Sequence, residues 1–116
     1  MAILITGGAG YIGSHTAAQL LAQGEEIVIL DNFSNSKPEV LDAIRTLTGR
    51  DFPFYQADLL DEGQLEQVFQ ENAIHTVIHF AGLKAVGESV AKPLLYYHNN
   101  LTGTLNLCRA MERHGC

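Results

Sequence analysis

A chain of 116 residues fits one domain, and its 47% hydrophobic content is enough for a buried core. The formal net charge of -6, without any basic cluster, argues against nucleic-acid binding. No apolar run approaches the roughly 20 residues of a membrane-spanning helix, and glycines interrupt the N-terminal apolar segment that a secretion signal would need. We therefore expect neither nucleic-acid nor membrane partners.

The predicted elements alternate between strand and helix along the whole chain. The predicted strands cover 2–6, 26–31, 52–57 and 75–80, and the predicted helices cover 11–23, 37–48, 62–71 and 93–113. Such βαβα alternation predicts an α/β fold whose parallel sheet carries helices on both faces. Right-handed crossovers give a Rossmann-type, doubly wound sheet of strand order 3-2-1-4, with a ligand cleft between strands 1 and 4.

Several residues mark the expected ends of these helices. The segments Ser36–Glu39 and Asp61–Gln64 have the pattern of capping boxes. Pro93 is expected to open the last helix. Gly24 and Gly115 are expected to follow the ends of the first and the last helix.

The segment Ile3–Gly13 joins an apolar run to a helical pattern through a glycine cluster. Gly7, Gly10 and Gly13 have the spacing of a dinucleotide-binding turn, where they supply the turn, the close backbone approach and the helix–strand packing. Unpaired amides at the start of the helix would attract a pyrophosphate. A turn with surplus glycines is the alternative, but the flanking strand and helix favour the binding motif.

Asp31 ends the second predicted strand, close to the spacing of about 20 residues at which a carboxylate holds the adenosine ribose. A carboxylate accepts hydrogen bonds from ribose hydroxyls and repels a 2′-phosphate. No Arg or Lys occurs in residues 32–36. The sequence therefore predicts NAD rather than NADP as the cofactor, with an ordinary turn acid as the alternative.

The two cysteines, Cys108 and Cys116, lie near the end of the chain. They form no disulfide framework, and neither they nor the histidines have metal-ligand spacing. Cys108 falls in an apolar helical pattern, which predicts a buried thiol. We expect a reduced, cytoplasmic environment and no metal site.

Longer motifs occur at Thr6–Gly13, Leu30–Asn32, Asp58–Leu59, His79–Val90 and Tyr96–Asn100. Through them the chain resembles the extended short-chain dehydrogenase/reductase family, and the last two are most similar to its nucleotide-sugar epimerases. The resemblance runs from Met1 to about Arg113. It implies that residues 1–116 are the N-terminal part of an NAD-binding Rossmann domain. It also implies that further strands and a nucleotide-sugar domain complete a homodimeric enzyme.

The resemblance implies cofactor contacts in each loop that follows a strand. The expected NAD-binding residues are Gly7, Gly10, Tyr11, Ile12 and Gly13 at the pyrophosphate, Asp31, Asn32, Asn35 and Ser36 at the ribose, Asp58 and Leu59 at the adenine, Phe80, Ala81, Gly82, Leu83 and Lys84 after strand 4, and Asn99 in the last helix. Asp58 as a turn acid and Lys84 as a solvated lysine are open alternatives. Tyr96 and Tyr97 are expected to pack, and His79 is expected to be a satisfied core histidine.

The family's acid–base groups are a Ser or Thr and a Tyr-x-x-x-Lys pair, whose lysine lowers the pKa of the tyrosine. The tyrosines Tyr11, Tyr55, Tyr96 and Tyr97 are followed four residues later by His15, Leu59, Asn100 and Leu101. We therefore expect no catalytic residue in this chain and no activity from it alone. The alternatives are a nucleotide-sugar dehydratase, an epimerase of N-acetylated sugars, and an NAD-binding module without catalysis.

Two surfaces suggest contacts beyond the chain. The apolar fourth strand would lie at the edge of the sheet, where natural strands are usually short, charged or covered. In the last predicted helix, one apolar row faces either the sheet or a second subunit. This row is formed by Leu94, Leu101, Leu105, Cys108 and Met111.

Overall fold

The computed structural model describes residues 1–116, which form a parallel sheet flanked by helices. The strands are β1 (Ala2–Thr6), β2 (Ile27–Asp31), β3 (Phe54–Gln56) and β4 (Ile74–His79). The helices are α1 (Tyr11–Ala22), α2 (Glu39–Thr48), α3 (Glu62–Glu71), α4 (Val86–Ala91), α5 (Pro93–Tyr97) and α6 (Gly103–His114), with a π-helical segment (His98–Thr102) between α5 and α6. None of the helices combines the length and the apolar character needed to span a bilayer.

The strand order is β3-β2-β1-β4, which confirms the predicted Rossmann-type topology. All neighbouring strands are parallel, and Ile5 in β1 lies between Ile29 in β2 and Ile78 in β4. The direction of the winding reverses at β1. The loops after β1 and β4 therefore diverge and leave a cleft at the carboxyl edge of the sheet.

The two faces of the sheet bury separate cores, because side chains alternate along each strand. On one face, Leu4 and Leu30 pack with residues of α3 and α6, namely Leu65, Val68, Phe69, Leu107 and Ala110. On the other face, Ile5 and Ile29 pack with residues of α1 and α2, namely Ala17, Leu21, Leu41 and Ile44. The sheet is therefore covered on both sides, and its central strands are held rigidly beneath the cleft.

Asp61 caps the N-terminus of α3. Its side chain accepts a hydrogen bond from the Gln64 N–H at 3.1 Å. The Gln64 side chain does not return to Asp61 but accepts from the Asp58 N–H at 3.0 Å. The Asp61 bond of the predicted capping box is therefore present. The return bond from Gln64 is absent, because the Gln64 side chain binds the loop after β3 instead.

Replacing Asp61 by alanine is expected to lower the free energy of unfolding by about 1 kcal/mol, because the amide that it caps loses its partner. Urea unfolding of the full-length protein, followed by circular dichroism, measures this loss. Asp61→Asn keeps an acceptor at the cap and should unfold within a few tenths of a kcal/mol of the wild type. An alanine variant as stable as the wild type would contradict the capping role.

The other predicted capping box, at Ser36–Glu39, is wrong. The residue before α2 is Pro38, and no side chain caps this helix. The Ser36 hydroxyl instead donates to Asp31 Oδ1 at 3.0 Å. A carboxylate is a strong acceptor, so this bond to an ionised group prevails over a helix cap.

The helix predicted over 93–113 is divided in the structure. Its first turn does begin at Pro93, and its end is followed by Gly115 with a left-handed φ of 69°. Between them, the segment His98–Thr102 widens into a π-helix. The preceding helix at Val86–Ala91 was not predicted, because six residues are too few to show a helical period.

One side of this helical region is apolar and exposed. Leu94, Leu101 and Leu105 are 82%, 57% and 56% exposed. Cys108 is also exposed, so the prediction of a buried thiol is wrong. Met111 alone of this row packs against a core. Apart from Met111, the row therefore faces away from the sheet. The residues that α6 buries are others, namely Gly103, Asn106, Leu107 and Ala110.

Candidate functional site

An open cleft of about 450 Å³ lies at the carboxyl edge of the sheet, a volume typical of small-molecule sites. Every residue that the sequence predicts for cofactor contact lines it: Gly7, Gly10, Tyr11, Ile12, Gly13, Asp31, Asn32, Asn35, Ser36, Asp58, Leu59, Phe80, Ala81, Gly82, Leu83, Lys84 and Asn99. The other lining residues were not selected from the sequence: Leu30, Ser34, Ala57, His79, Ala85, Glu88, Tyr96, Asn100 and Thr104.

The glycines after β1 permit close contacts that any side chain would prevent. Gly7 has a left-handed φ of 68°, and a Cβ there would lie 2.7 Å from the Ala81 amide nitrogen. A Cβ on Gly13 would collide with the Gly7 carbonyl oxygen. The turn, the start of α1 and the loop after β4 therefore touch through bare backbone.

The N-terminus of α1 opens into the cleft without a cap of its own. Gly10 precedes the helix, no side chain caps it, and its first turn carries no acidic residue. The first amides of a helix have no intrahelical partner and carry partial positive charge. The arrangement fits an anion such as a pyrophosphate, which could approach the amides of Tyr11, Ile12 and Gly13.

Asp31 is 8% exposed and organises the neighbouring loops. Its Oδ2 accepts from the Ala9 N–H at 3.0 Å, and its Oδ1 accepts from the Phe33 N–H at 2.9 Å and from the Ser36 hydroxyl. An ionised carboxylate offers about four lone-pair positions. With three of them engaged, one position on Oδ2 is left for a ligand hydroxyl in the cleft.

Asp58 lies beside Asn32 in the same part of the cleft. Its Oδ1 accepts from the Leu60 N–H at 2.9 Å, which is the turn role considered as an alternative. Its Oδ2 accepts from Asn32 Nδ2 at 3.3 Å. Asp58 therefore orders the loop after β3 and also presents a carboxylate to the cleft.

His79, at the end of β4, is satisfied by hydrogen bonds, but it is exposed at the cleft and does not lie in the core as expected. Its Nδ1 lies 2.6 Å from Thr6 Oγ1, and its Nε2 lies 3.1 Å from Thr104 Oγ1. Thr104 donates its hydroxyl proton to the Asn100 carbonyl at 2.6 Å, so it accepts from Nε2–H. Thr6 Oγ1 accepts from the Ala81 N–H and donates to Nδ1. A neutral imidazole with its one proton on Nε2 satisfies the whole chain of bonds.

Although His79 reaches solvent at the cleft, desolvation of its ring by the surrounding protein, followed by the nearby charge of Lys84, lowers its pKa below the ordinary value of about 6.5. Its contribution to stability is therefore full above about pH 6.5 and is lost as the pH falls through the lower pKa of the folded state. We expect the wild type to lose stability over this range, and the His79→Asn variant to lose less. Thermal melts of the full-length proteins between pH 5 and 8 test this, and parallel profiles would contradict it.

Further side chains order the loop between β4 and α5. Tyr96 is buried, accepts from the Ala85 N–H at 3.2 Å and donates to Glu88 Oε1 at 2.9 Å. It therefore packs as expected, whereas Tyr97 is 63% exposed. Lys84 is exposed at the rim of the cleft. No group of three or more His, Cys, Asp or Glu residues could hold a metal ion.

Asn99 and Asn100 both line the cleft from the π-helical segment. Asn99 Nδ2 donates to Asn100 Oδ1 at 3.0 Å. Asn100 was not predicted as a cofactor contact, although two adjacent asparagines shortly before Leu101 were an available signal. Its side chain bonds to both backbone groups of Leu83.

Comparison with known proteins gives one matching family model. The profile of the NAD dependent epimerase/dehydratase family matches residues 3–116. The UDP-glucose 4-epimerase of Bacillus subtilis is 66% identical over 115 residues, which are 99% of this chain and 34% of that protein. A UDP-glucose 4-epimerase of Klebsiella pneumoniae is 56% identical over 99% of this chain and 83% of its own sequence.

Among solved structures, the UDP-glucose 4-epimerase of Bifidobacterium longum in complex with NAD+ and UDP superposes with a TM-score of 0.97 at 50% identity. The superposition covers 99% of this chain and 34% of that protein. The chain thus spans about a third of the length of most of these relatives. The B. longum structure therefore has the fold of this chain, including its four-stranded sheet.

Proposed function

Because the chain belongs to the NAD dependent epimerase/dehydratase family, we propose that it is the NAD-binding, N-terminal part of a UDP-glucose 4-epimerase. The observation that carries this proposal is the cleft, where an uncapped helix and a buried carboxylate meet glycines that leave backbone bare. In the proposed domain organisation, residues 1–116 begin the Rossmann domain. Its remaining strands and a nucleotide-sugar domain belong to the rest of the whole protein.

Each part of the cleft lining supports a contact with one part of NAD. The pyrophosphate would bind the free amides at the start of α1, close to Gly10. The adenosine ribose would donate to the open position on Asp31, and the adenine amine would donate to Asp58. The same carboxylate at Asp31 would repel the 2′-phosphate of NADP. The loop Phe80–Lys84 and Asn99 would line the path of the nicotinamide half.

In the whole enzyme, UDP-glucose and UDP-galactose would interconvert through a transient 4-keto sugar. The C4 hydride would be transferred to bound NAD and then returned to the sugar, while the protein supplies binding and orientation. This chain would contribute the binding and the orientation. The groups that move the hydroxyl proton, which the family resemblance implies to be a Ser or Thr and a Tyr-x-x-x-Lys pair, would come from the rest of the protein.

Exposed apolar side chains from α4 to α6 support a homodimer in the whole protein. Val86, Val90, Leu94, Leu101 and Leu105 follow one another at intervals of four or seven residues and are all more than half exposed. An exposed apolar strip of this length is typical of a protein–protein interface. We also propose a cytoplasmic location for the whole protein.

A related substrate is the second candidate. The UDP-Glc/GlcNAc 4-epimerase of Campylobacter jejuni is 38% identical, with a TM-score of 0.92 over 98% of this chain. Because these similarities concern the cofactor-binding region, they favour the same cofactor and leave both sugars as candidates.

An activity assay on the full-length protein tests the proposed function. UDP-galactose is incubated with the protein, and UDP-glucose is quantified by chromatography, with UDP-N-acetylgalactosamine in a parallel reaction. We expect conversion of UDP-galactose. A protein that binds NAD but converts neither sugar would contradict the epimerase proposal and favour a dehydratase or a non-catalytic module.

A further inference from the structure

The Asn100 side chain forms two hydrogen bonds with the backbone of Leu83, as a neighbouring β-strand would. Its Oδ1 accepts from the Leu83 N–H at 2.9 Å, and its Nδ2 donates to the Leu83 carbonyl at 3.0 Å. Leu83 lies in the middle of the short loop between β4 and α4, which has no regular backbone pairing of its own. Asn100 therefore satisfies both backbone groups at the centre of this loop.

The π-helical segment brings Asn100 against this loop. The segment His98–Thr102 is wider than an α-helix, and both Asn99 and Asn100 line the cleft from it. A Cβ on Gly82 would lie 3.4 Å from Asn100 Oδ1, which is ordinary van der Waals contact, so the Asn100 side chain lies directly against the loop. Single π-turns within α-helices are frequent at functional sites.

A second set of hydrogen bonds holds the beginning of the same loop. The Ala81 N–H donates to Thr6 Oγ1 at 3.3 Å, and Thr6 bonds onward to His79. His79 in turn contacts Thr104, whose hydroxyl bonds to the Asn100 carbonyl. The loop is therefore fixed at Ala81 and again at Leu83, and both attachments lead to the same turn of the π-helical segment.

We propose that Asn100 is a positioning residue of the cofactor site, which fixes the path of the loop Phe80–Lys84 along the cleft by pairing with both backbone groups of Leu83. This inference rests on the proposed NAD site. Only a side chain with one donor and one acceptor at this length can pair in this way. Aspartate has the same shape but cannot donate, and its charge would face the Leu83 carbonyl.

The test compares Asn100→Asp with Asn72→Asp in the full-length protein. Asn72 is a matched control, because its side chain also makes two hydrogen bonds, both donated by Nδ2, to the Val68 carbonyl and to the Tyr55 hydroxyl, each at 2.9 Å. It precedes β4 at the opposite edge of the sheet. The dissociation constant for NAD+ is measured by titration calorimetry, and the midpoint of urea unfolding is measured for each variant.

We expect both variants to unfold at a lower urea concentration, and only Asn100→Asp to raise the NAD+ dissociation constant, by about tenfold. Asn100→Ala, which removes the pairing without adding a charge, should raise it severalfold and carries the test if the aspartate variant does not fold. An unchanged dissociation constant, or an equal rise in Asn72→Asp, would overturn the positioning role. A wild type that does not bind NAD+ would instead overturn the proposed function on which it rests.

Discussion

The Gly13→Ala variant of the full-length protein is expected to lose detectable NAD binding and about 1–3 kcal/mol of its free energy of unfolding. The added methyl group would collide with the Gly7 carbonyl oxygen, which is rigid backbone and cannot yield as a side chain would. The start of α1 must therefore move away from the glycine turn. That movement displaces the helix amides on which the proposed pyrophosphate site depends.

The control for this variant is Gly87→Ala in α4. Nothing lies within 4 Å of a Cβ at Gly87, and this residue does not line the cleft. Its replacement should leave NAD binding unchanged and stabilise the protein by a few tenths of a kcal/mol, because alanine favours the helix. Calorimetric titration and urea unfolding measure both quantities. NAD affinity that survives in Gly13→Ala would show that the pyrophosphate does not bind at this turn.

The Asp31→Ala variant is expected to weaken NAD binding by about a hundredfold or more and to abolish the preference over NADP. The wild type should discriminate because a 2′-phosphate would lie against the Asp31 carboxylate, and such repulsion costs several kcal/mol. The variant should also be less stable, since the buried N–H of Ala9 and the N–H of Phe33 lose their acceptor.

Asp51→Ala separates cofactor recognition from the general loss of a hydrogen-bonded carboxylate. Asp51 also accepts from a backbone amide, that of Phe52 at 2.8 Å, and pairs with Arg45 at 2.6 Å, but it lies before β3 at the opposite edge of the sheet. Its replacement should leave the NAD and NADP dissociation constants unchanged. If Asp31→Ala retained the wild-type ratio of these constants, the carboxylate would not be the specificity element.

The features that the sequence predicted correctly are set by neighbouring residues. The strand order follows from the alternation of apolar runs, and the place of Asp31 follows from its distance along the chain from the glycine turn. The full set of predicted contacts lines one cleft because parallel strands bring their carboxyl ends to the same edge of the sheet. The predicted roles in NAD binding stay predictions until binding is measured.

The features that the sequence did not predict depend on distant partners. Ser36 has the local pattern of a helix cap, but the Asp31 carboxylate holds it in the folded chain. Asn100 and His79 act on residues that only the fold brings near, such as Leu83 and Thr6. No periodicity distinguishes a π-helical turn from the α-helix around it, so the segment His98–Thr102 was predicted as ordinary helix.

The most direct test of the central claim is a calorimetric titration of the full-length protein, freed of nucleotide, with NAD+ and then with NADP+. We predict binding of one NAD+ per chain, with an affinity at least about a hundredfold higher than that for NADP+. A protein that binds neither nucleotide, or that binds both equally well, would contradict the proposal that this cleft is an NAD site specified by Asp31.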